Sequence, residues 1–132
     1  MKQPQIIPAL LGLAMATAIS SCAVSPETQA KMDEFNRTIP SCSSSADCGA
    51  KRDAARSWTE ENSSFVIQGD SDTRIFASST LTTQSGLGVV VYREESTTGF
   101  NIVVDIECFS AYGCSNLWDK KVEFNRTING IR

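Results

Sequence analysis

Phe100-Asn101-Ile102-Val103-Val104-Asp105-Ile106-Glu107-Cys108 alternates with a period of two. Phe100, Ile102, Val104, Ile106 and Cys108 fall on one side. Asn101, Val103, Asp105 and Glu107 fall on the other. Successive strand side chains point to opposite faces, so this pattern predicts a half-buried strand with the even positions in the core.

The stretch upstream supplies partners for that strand. Ser96-Thr97-Thr98-Gly99 is a turn, and Leu87 to Tyr92 is an apolar strand ended by Arg93-Glu94-Glu95. Ser79 to Gly86 is a polar connection. Thr73 to Ser78 and Phe65 to Gln68 read as a hairpin around the turn-rich Gly69-Asp70-Ser71-Asp72. Links this short predict a four-stranded antiparallel meander.

A helix is predicted on each side of the meander. Ser44 with Asp47 three residues on approximates a capping box, and the helix runs from about Ala46 to Asn62. Ala50, Ala54, Ala55 and Trp58 share its apolar side. Cys114-Ser115-Asn116 opens a last helix from Leu117 to about Asn129, closed by Gly130. Leu117, Phe124, Ile128 and Ile131 share one face, with Trp118 and Val122 on its flank. The expected fold class is α+β: a two-layer sandwich of helix, four-stranded meander and helix, forming one domain over residues 41–132. The sheet face away from the helices carries Val66, Phe76, Val90, Tyr92 and Val103. It is either a docking surface or is partly covered by an N-terminal helix or the 79–86 loop.

The start of the chain has a different character. Lys2 precedes an apolar run from Ile6 to Ile19, followed by Ser20-Ser21-Cys22. A positive start, a short apolar stretch and small residues before a cut site predict a signal peptide over residues 1–21. The run is short for a membrane span. Ile19-Ser20-Ser21-Cys22 resembles the bacterial lipobox. The resemblance implies cleavage before Cys22, acylation of its sulfur and amine, and firm membrane anchoring by several chains. Ala23, where an Asp would retain the protein in the inner membrane of enteric bacteria, implies outer-membrane sorting with the domain facing the periplasm. Residues 22–40 then read as the lipidated Cys and a tether. Ala23 to Thr28 is a linker. Met32, Phe35 and Ile39 are spaced for a short amphipathic helix over Gln29 to Ile39, which Pro40 stops.

The 132 residues hold 12 Lys+Arg, 15 Asp+Glu and no His, for a net charge of −3. Without His, triads, metal sites and pH switches built on imidazole are excluded. An acidic chain with no basic block predicts no nucleic-acid partner. Removing residues 1–21 takes away Lys2 alone among the charged residues and leaves 111 residues carrying 11 − 15 = −4. That length suits one modest core.

Beyond Cys22, four cysteines remain: Cys42, Cys48, Cys108 and Cys114. An even count in an oxidising compartment predicts two disulfides. Three connectivities are open. Local pairing, 42 with 48 and 108 with 114, is the first choice; the alternatives staple the ends of the domain together. Five residues between paired cysteines exceed the usual zinc spacing and do not make a redox Cys-x-x-Cys. No metal or cofactor is expected. The chain from Cys42-x5-Cys48 through Trp58, Asn62-Ser63 and Ile67-Gln68 to Phe109–Gly113 resembles small uncharacterised lipoproteins of Gram-negative bacteria. That resemblance covers residues 42–128 and implies no activity.

Glu34-Phe35-Asn36-Arg37-Thr38-Ile39 recurs as Glu123 to Ile128. With no similarity in the flanks, duplication of a domain is excluded. Two short helices with similar needs explain the repeat better than one segment used twice. Asp70 with Asp72, and Asp105 with Glu107, are carboxylate pairs without the further ligands or cleft that catalysis needs. The expected function is therefore non-catalytic docking in the envelope. The expected contacts are Phe76, Val90 and Tyr92 on the sheet, and Phe109 and Tyr112 on the Cys108–Cys114 loop. The alternative is an inhibitor or accessory subunit of an envelope enzyme such as a cell-wall hydrolase.

Overall fold

The computed structural model describes residues 22–79, 81 and 84–132. The expected signal peptide lies outside them. Among these residues the elements run α1 (Pro26–Arg37), β1 (Ser41–Cys42), α2 (Ser45–Asn62), β2 (Gly69–Asp70), β3 (Arg74–Ala77), β4 (Gly86–Ser96), β5 (Gly99–Phe109) and α3 (Leu117–Asn129). The fold class is α+β, as expected, but with three helices and a five-stranded antiparallel sheet of order β1-β5-β4-β3-β2.

The meander is present as β2 to β5, and its boundaries differ from expectation. Phe65 to Gln68 is not a strand. Ser64 ties that segment across the end of the sheet: its amide donates to the Leu87 carbonyl (2.8 Å), and its Oγ accepts from the Leu87 amide (2.9 Å). Pairing therefore begins later, with Gly69 opposite Phe76 and Asp70 opposite Ile75. The turn moves to Ser71–Arg74, closed by Ser71 N–H donating to the Arg74 carbonyl (2.8 Å). β4 does not stop at Tyr92 but continues through Arg93-Glu94-Glu95 to Ser96. Polar residues serve well there because this hairpin arm reaches solvent. Ser96 pairs with Gly99, leaving Thr97 and Thr98 as the tip.

The fifth strand, β1, pairs with β5 at Asn101 and Phe100. Two residues have no readable periodicity. Cys42 is held in place by its disulfide to Cys48, which opens α2. The second disulfide joins Cys108 and Cys114. Both bonds take the local connectivity. Cys108 is exposed rather than buried, one residue before the end of β5.

The helix-side face of the sheet carries Ile75, Ala77, Val89, Val91, Ile102, Val104 and Ile106, all buried. Ala55 and Trp58 of α2 and Val122, Phe124 and Ile128 of α3 close over them. Trp58 meets Phe124 edge-on at 5.2 Å between ring centroids. Each large side chain buried here contributes roughly 1.5–3 kcal/mol.

The capping signal at Ser44 is met: its Oγ accepts from the Asp47 amide (3.1 Å). The return bond is offset by one residue, because Asp47 Oδ2 accepts from the Ser43 amide (3.3 Å). α3 follows Asn116, whose left-handed φ of 61° turns the chain into the helix without a side-chain cap. α1 begins at Pro26, inside the expected linker, because Ser25 caps it by accepting from the Thr28 amide (3.2 Å) and Pro26 suits the first helical position. It docks on α3. Phe35 is buried with its ring 5.8 Å from that of Trp118. Asn125 Nδ2 donates to the Phe35 carbonyl (2.9 Å), and Asn129 Nδ2 to the Thr38 carbonyl (2.8 Å). Glu34 pairs with Arg126. The two copies of the hexapeptide thus face each other, one on each helix. No helix among the described residues is long and apolar enough to cross a membrane.

Candidate functional site

The register of β3, β4 and β5 builds the site. Phe76 lies opposite Val90, and Arg74 opposite Tyr92. Tyr92 lies opposite Val103, and Val90 opposite Asp105. These side chains point away from the helix layer. Phe76, Val90 and Tyr92 are half-buried by one another, and Val103 is buried. The result is an apolar stripe across three strands with a polar rim.

Each part of the rim has a partner. The Arg74 guanidinium lies over the Phe76 ring, 5.2 Å from its centroid. Glu107 accepts from Ser78 Oγ (2.6 Å). Asp105 accepts from Lys121 Nζ (2.9 Å), which reaches it from α3. A shallow cleft runs between Arg74, Val90, Tyr92, Asp105 and Glu107. Burial raises the Tyr92 phenol above its ordinary pKa, helped by the nearby charges of Glu94 and Asp105.

The other expected contacts are divided by the structure. Phe76, Val90 and Tyr92 come together on this face. Phe109 is withdrawn: its ring crosses Gly88, where an added Cβ would lie 2.8 Å from it, and packs edge-on against Phe65 at 5.6 Å. Tyr112 stands fully exposed on the disulfide loop, away from the stripe. Val66 is not on the sheet face at all, because its segment crosses the sheet end. Arg74 was missed by the sequence reading. Its signal was there, since Arg74 and Phe76 alternate onto one face of β3. Asp105 and Glu107, read as a carboxylate pair without a cleft, form the rim.

Lys31 is raised above its ordinary pKa by Asp119 and then Glu27, and Arg56 chiefly by Asp70, each through bonds to carboxylates. Asp70 is taken by both Arg52 and Arg56. No group of three or more Cys, Asp or Glu among the described residues is placed to hold a metal. A crevice of about 20 Å³ beneath α2, near Ala55 and Ile75, has room for about one water. Cys22 is exposed with a free thiol, three residues ahead of Ser25. Comparison of the chain with protein families, with characterised proteins and with solved structures finds no match.

Proposed function

We propose that this chain is a lipid-anchored outer-membrane protein whose domain faces the periplasm and docks a protein partner without catalysis. The observation that carries the reading is the open outer sheet face, where Phe76, Val90 and Tyr92 form an apolar stripe between Arg74, Asp105 and Glu107. An apolar centre with a charged rim is the anatomy of a protein–protein contact. Aromatic residues fixed on a sheet lose little freedom on binding. The lipobox resemblance at Ile19-Ser20-Ser21-Cys22 supplies the anchor.

A photo-reactive residue at Val90, in the cell, tests the docking. One dominant adduct is expected from position 90, and none from Glu60, which is exposed on α2. The adduct should weaken in a Cys22→Ala chain that lacks the anchor. Equal labelling from both positions, or none from Val90, would sink the docking reading. If the captured protein is an envelope hydrolase whose turnover changes on binding, the alternative of an inhibitor or accessory subunit is the better description.

A further inference from the structure

One end of the molecule gathers its exposed apolar side chains. β3 ends there at Ala77, β4 begins there at Gly86 and β5 ends there at Phe109. The two bonds between Ser64 and Leu87 put Val66 beside this end. The Cys108–Cys114 loop leaves β5 at the same place and carries Tyr112 with it. α3 starts directly after that loop and runs toward the opposite end. α1 runs beside α3 in the same direction: Lys31, midway along α1, meets Asp119 in the first turn of α3, and Thr38, just past α1, meets Asn125 and Asn129 near the finish of α3, so the start of α1 lies beyond the start of α3. Val24 and Cys22, ahead of α1, therefore belong to this end too. Among the described residues, the large apolar side chains standing exposed are Val24 (51%), Val66 (81%), Leu81 (57%) and Tyr112 (101%). All four are here. The other end, with the Thr97-Thr98 tip and the start of α2, has none among the described residues.

Single exposed apolar residues need no explanation, but a cluster at the end from which an anchored residue departs does. We propose that this end is a membrane-contact surface, resting on the bilayer that holds Cys22, with Tyr112, Val66 and Val24 in the headgroup layer. The inference rests on the lipid-anchor reading above. Three residues, Ala23 to Ser25, separate Cys22 from α1. They reach about 10 Å when fully extended, so an anchored Cys22 keeps this end within touch of the surface. A tyrosine, apolar in body and polar at its tip, suits the headgroup layer. The disulfide holds the loop that presents Tyr112, so insertion costs little ordering. The carboxylates nearest the anchor do not oppose an anionic surface unaided, because Glu27 and Asp119 are both paired with Lys31 (3.3 and 3.0 Å).

The test uses the full-length lipidated protein in phosphatidylcholine–phosphatidylglycerol vesicles, with and without bromine on the acyl chains. Tyr112→Trp and Thr97→Trp add a reporter at opposite ends, read as the increment over the parent spectrum. Interfacial side chains sit about 5–10 Å into the boundary, so bromine should quench the increment at 112 by roughly half and leave that at 97 unchanged. Hydrogen exchange of the unsubstituted protein should slow over 63–67 and 110–116 on vesicles relative to detergent micelles, but not over 95–99. Floating vesicles that carry the protein yet show no quenching at 112, or equal quenching at both ends, overturn the contact surface while leaving the anchor standing. If the unsubstituted protein made in the cell carries no lipid on Cys22 and does not float with vesicles, the anchor reading falls and this inference with it. A protein adduct on Tyr112 that replaces the lipid signal assigns the end to a protein partner and overturns the proposal.

Discussion

Asn36 and Asn125 hold the same place in two copies of one hexapeptide and do different work. Asn125 is fully buried, and its Nδ2 donates to the Phe35 carbonyl and to Thr38 Oγ1. Asn36 faces solvent on α1. The difference comes from helix phase: each copy turns its own Phe inward, but only α3 lies between α1 and α2. Asn125→Ala removes two bonds, while the Phe35 carbonyl keeps the one from the Thr38 amide (3.2 Å), and should lower stability by about 1–2 kcal/mol. Asn36→Ala should stay within about 0.5 kcal/mol of the parent. Urea unfolding of the two variants checks this, and equal losses would show that the repeat has a shared role instead. Tyr92 gives a second expectation at this scale. Its pKa is raised from the ordinary value of 10.0, so the folded state keeps the proton after the unfolded chain has lost it. The stabilisation is fully present below pH 10 and is lost as pH rises through the folded pKa. Stability should fall with pH above 10, and Tyr92→Phe should flatten that slope. An unchanged slope in the variant would refute the assignment to Tyr92.

Among the elements, β1 is as short as β2, two residues, and is tightly constrained. Gly99 opposes it at φ +147°, and a Cβ there would run into the Cys42 carbonyl. Gly99→Ala should cost about 1–3 kcal/mol, the usual scale of local backbone strain. It should also speed exchange of the Ile102 amide, which donates to the Pro40 carbonyl (2.8 Å). A stable variant with the Ile102 amide still protected would contradict this. β1 also marks what sequence reading misses. β5, α2 and α3 were legible because each repeats its pattern over eleven or more residues. β1 exists only because a disulfide and a neighbouring strand hold two residues in line. The first hairpin was misplaced because Ser64 bonds to Leu87, far away in sequence, and drew Phe65–Ile67 out of the sheet, leaving Gln68 its amide bond to the Phe76 carbonyl (2.9 Å). The site divides in the same way. Phe76, Val90 and Tyr92 follow from alternation along β3 and β4. Phe109 obeys the same alternation, but Gly88 and Phe65 fold its ring down, and no local pattern reports that.

For the whole molecule the question is whether α1 belongs to the tether or to the body. The sequence shows a short amphipathic stretch beside an anchor, which fits either. The contacts of Phe35, Asn125, Asn129 and the Glu34–Arg126 pair make α1 part of the body. With Cys22 lipidated, as proposed, docking of α1 sets the height of the domain. Docked, only Ala23 to Ser25 are free, reaching about 10 Å. Released, residues 23–40 become a flexible chain with a mean span of about 25 Å. Phe35→Asp places a charge in the α1–α3 contact, which is costly to bury unpaired, and should release the helix. A dye at position 97, on the hairpin tip far from the anchor, should then transfer less energy to acceptors in the headgroups than it does in the parent. The near-UV signal of Trp58, which packs between α2 and α3, should persist and show that the sheet and its two covering helices still stand. If transfer is unchanged while α1 has lost its hydrogen-exchange protection, docking of α1 does not hold the domain at the surface, and contacts made by the end bearing Tyr112 do.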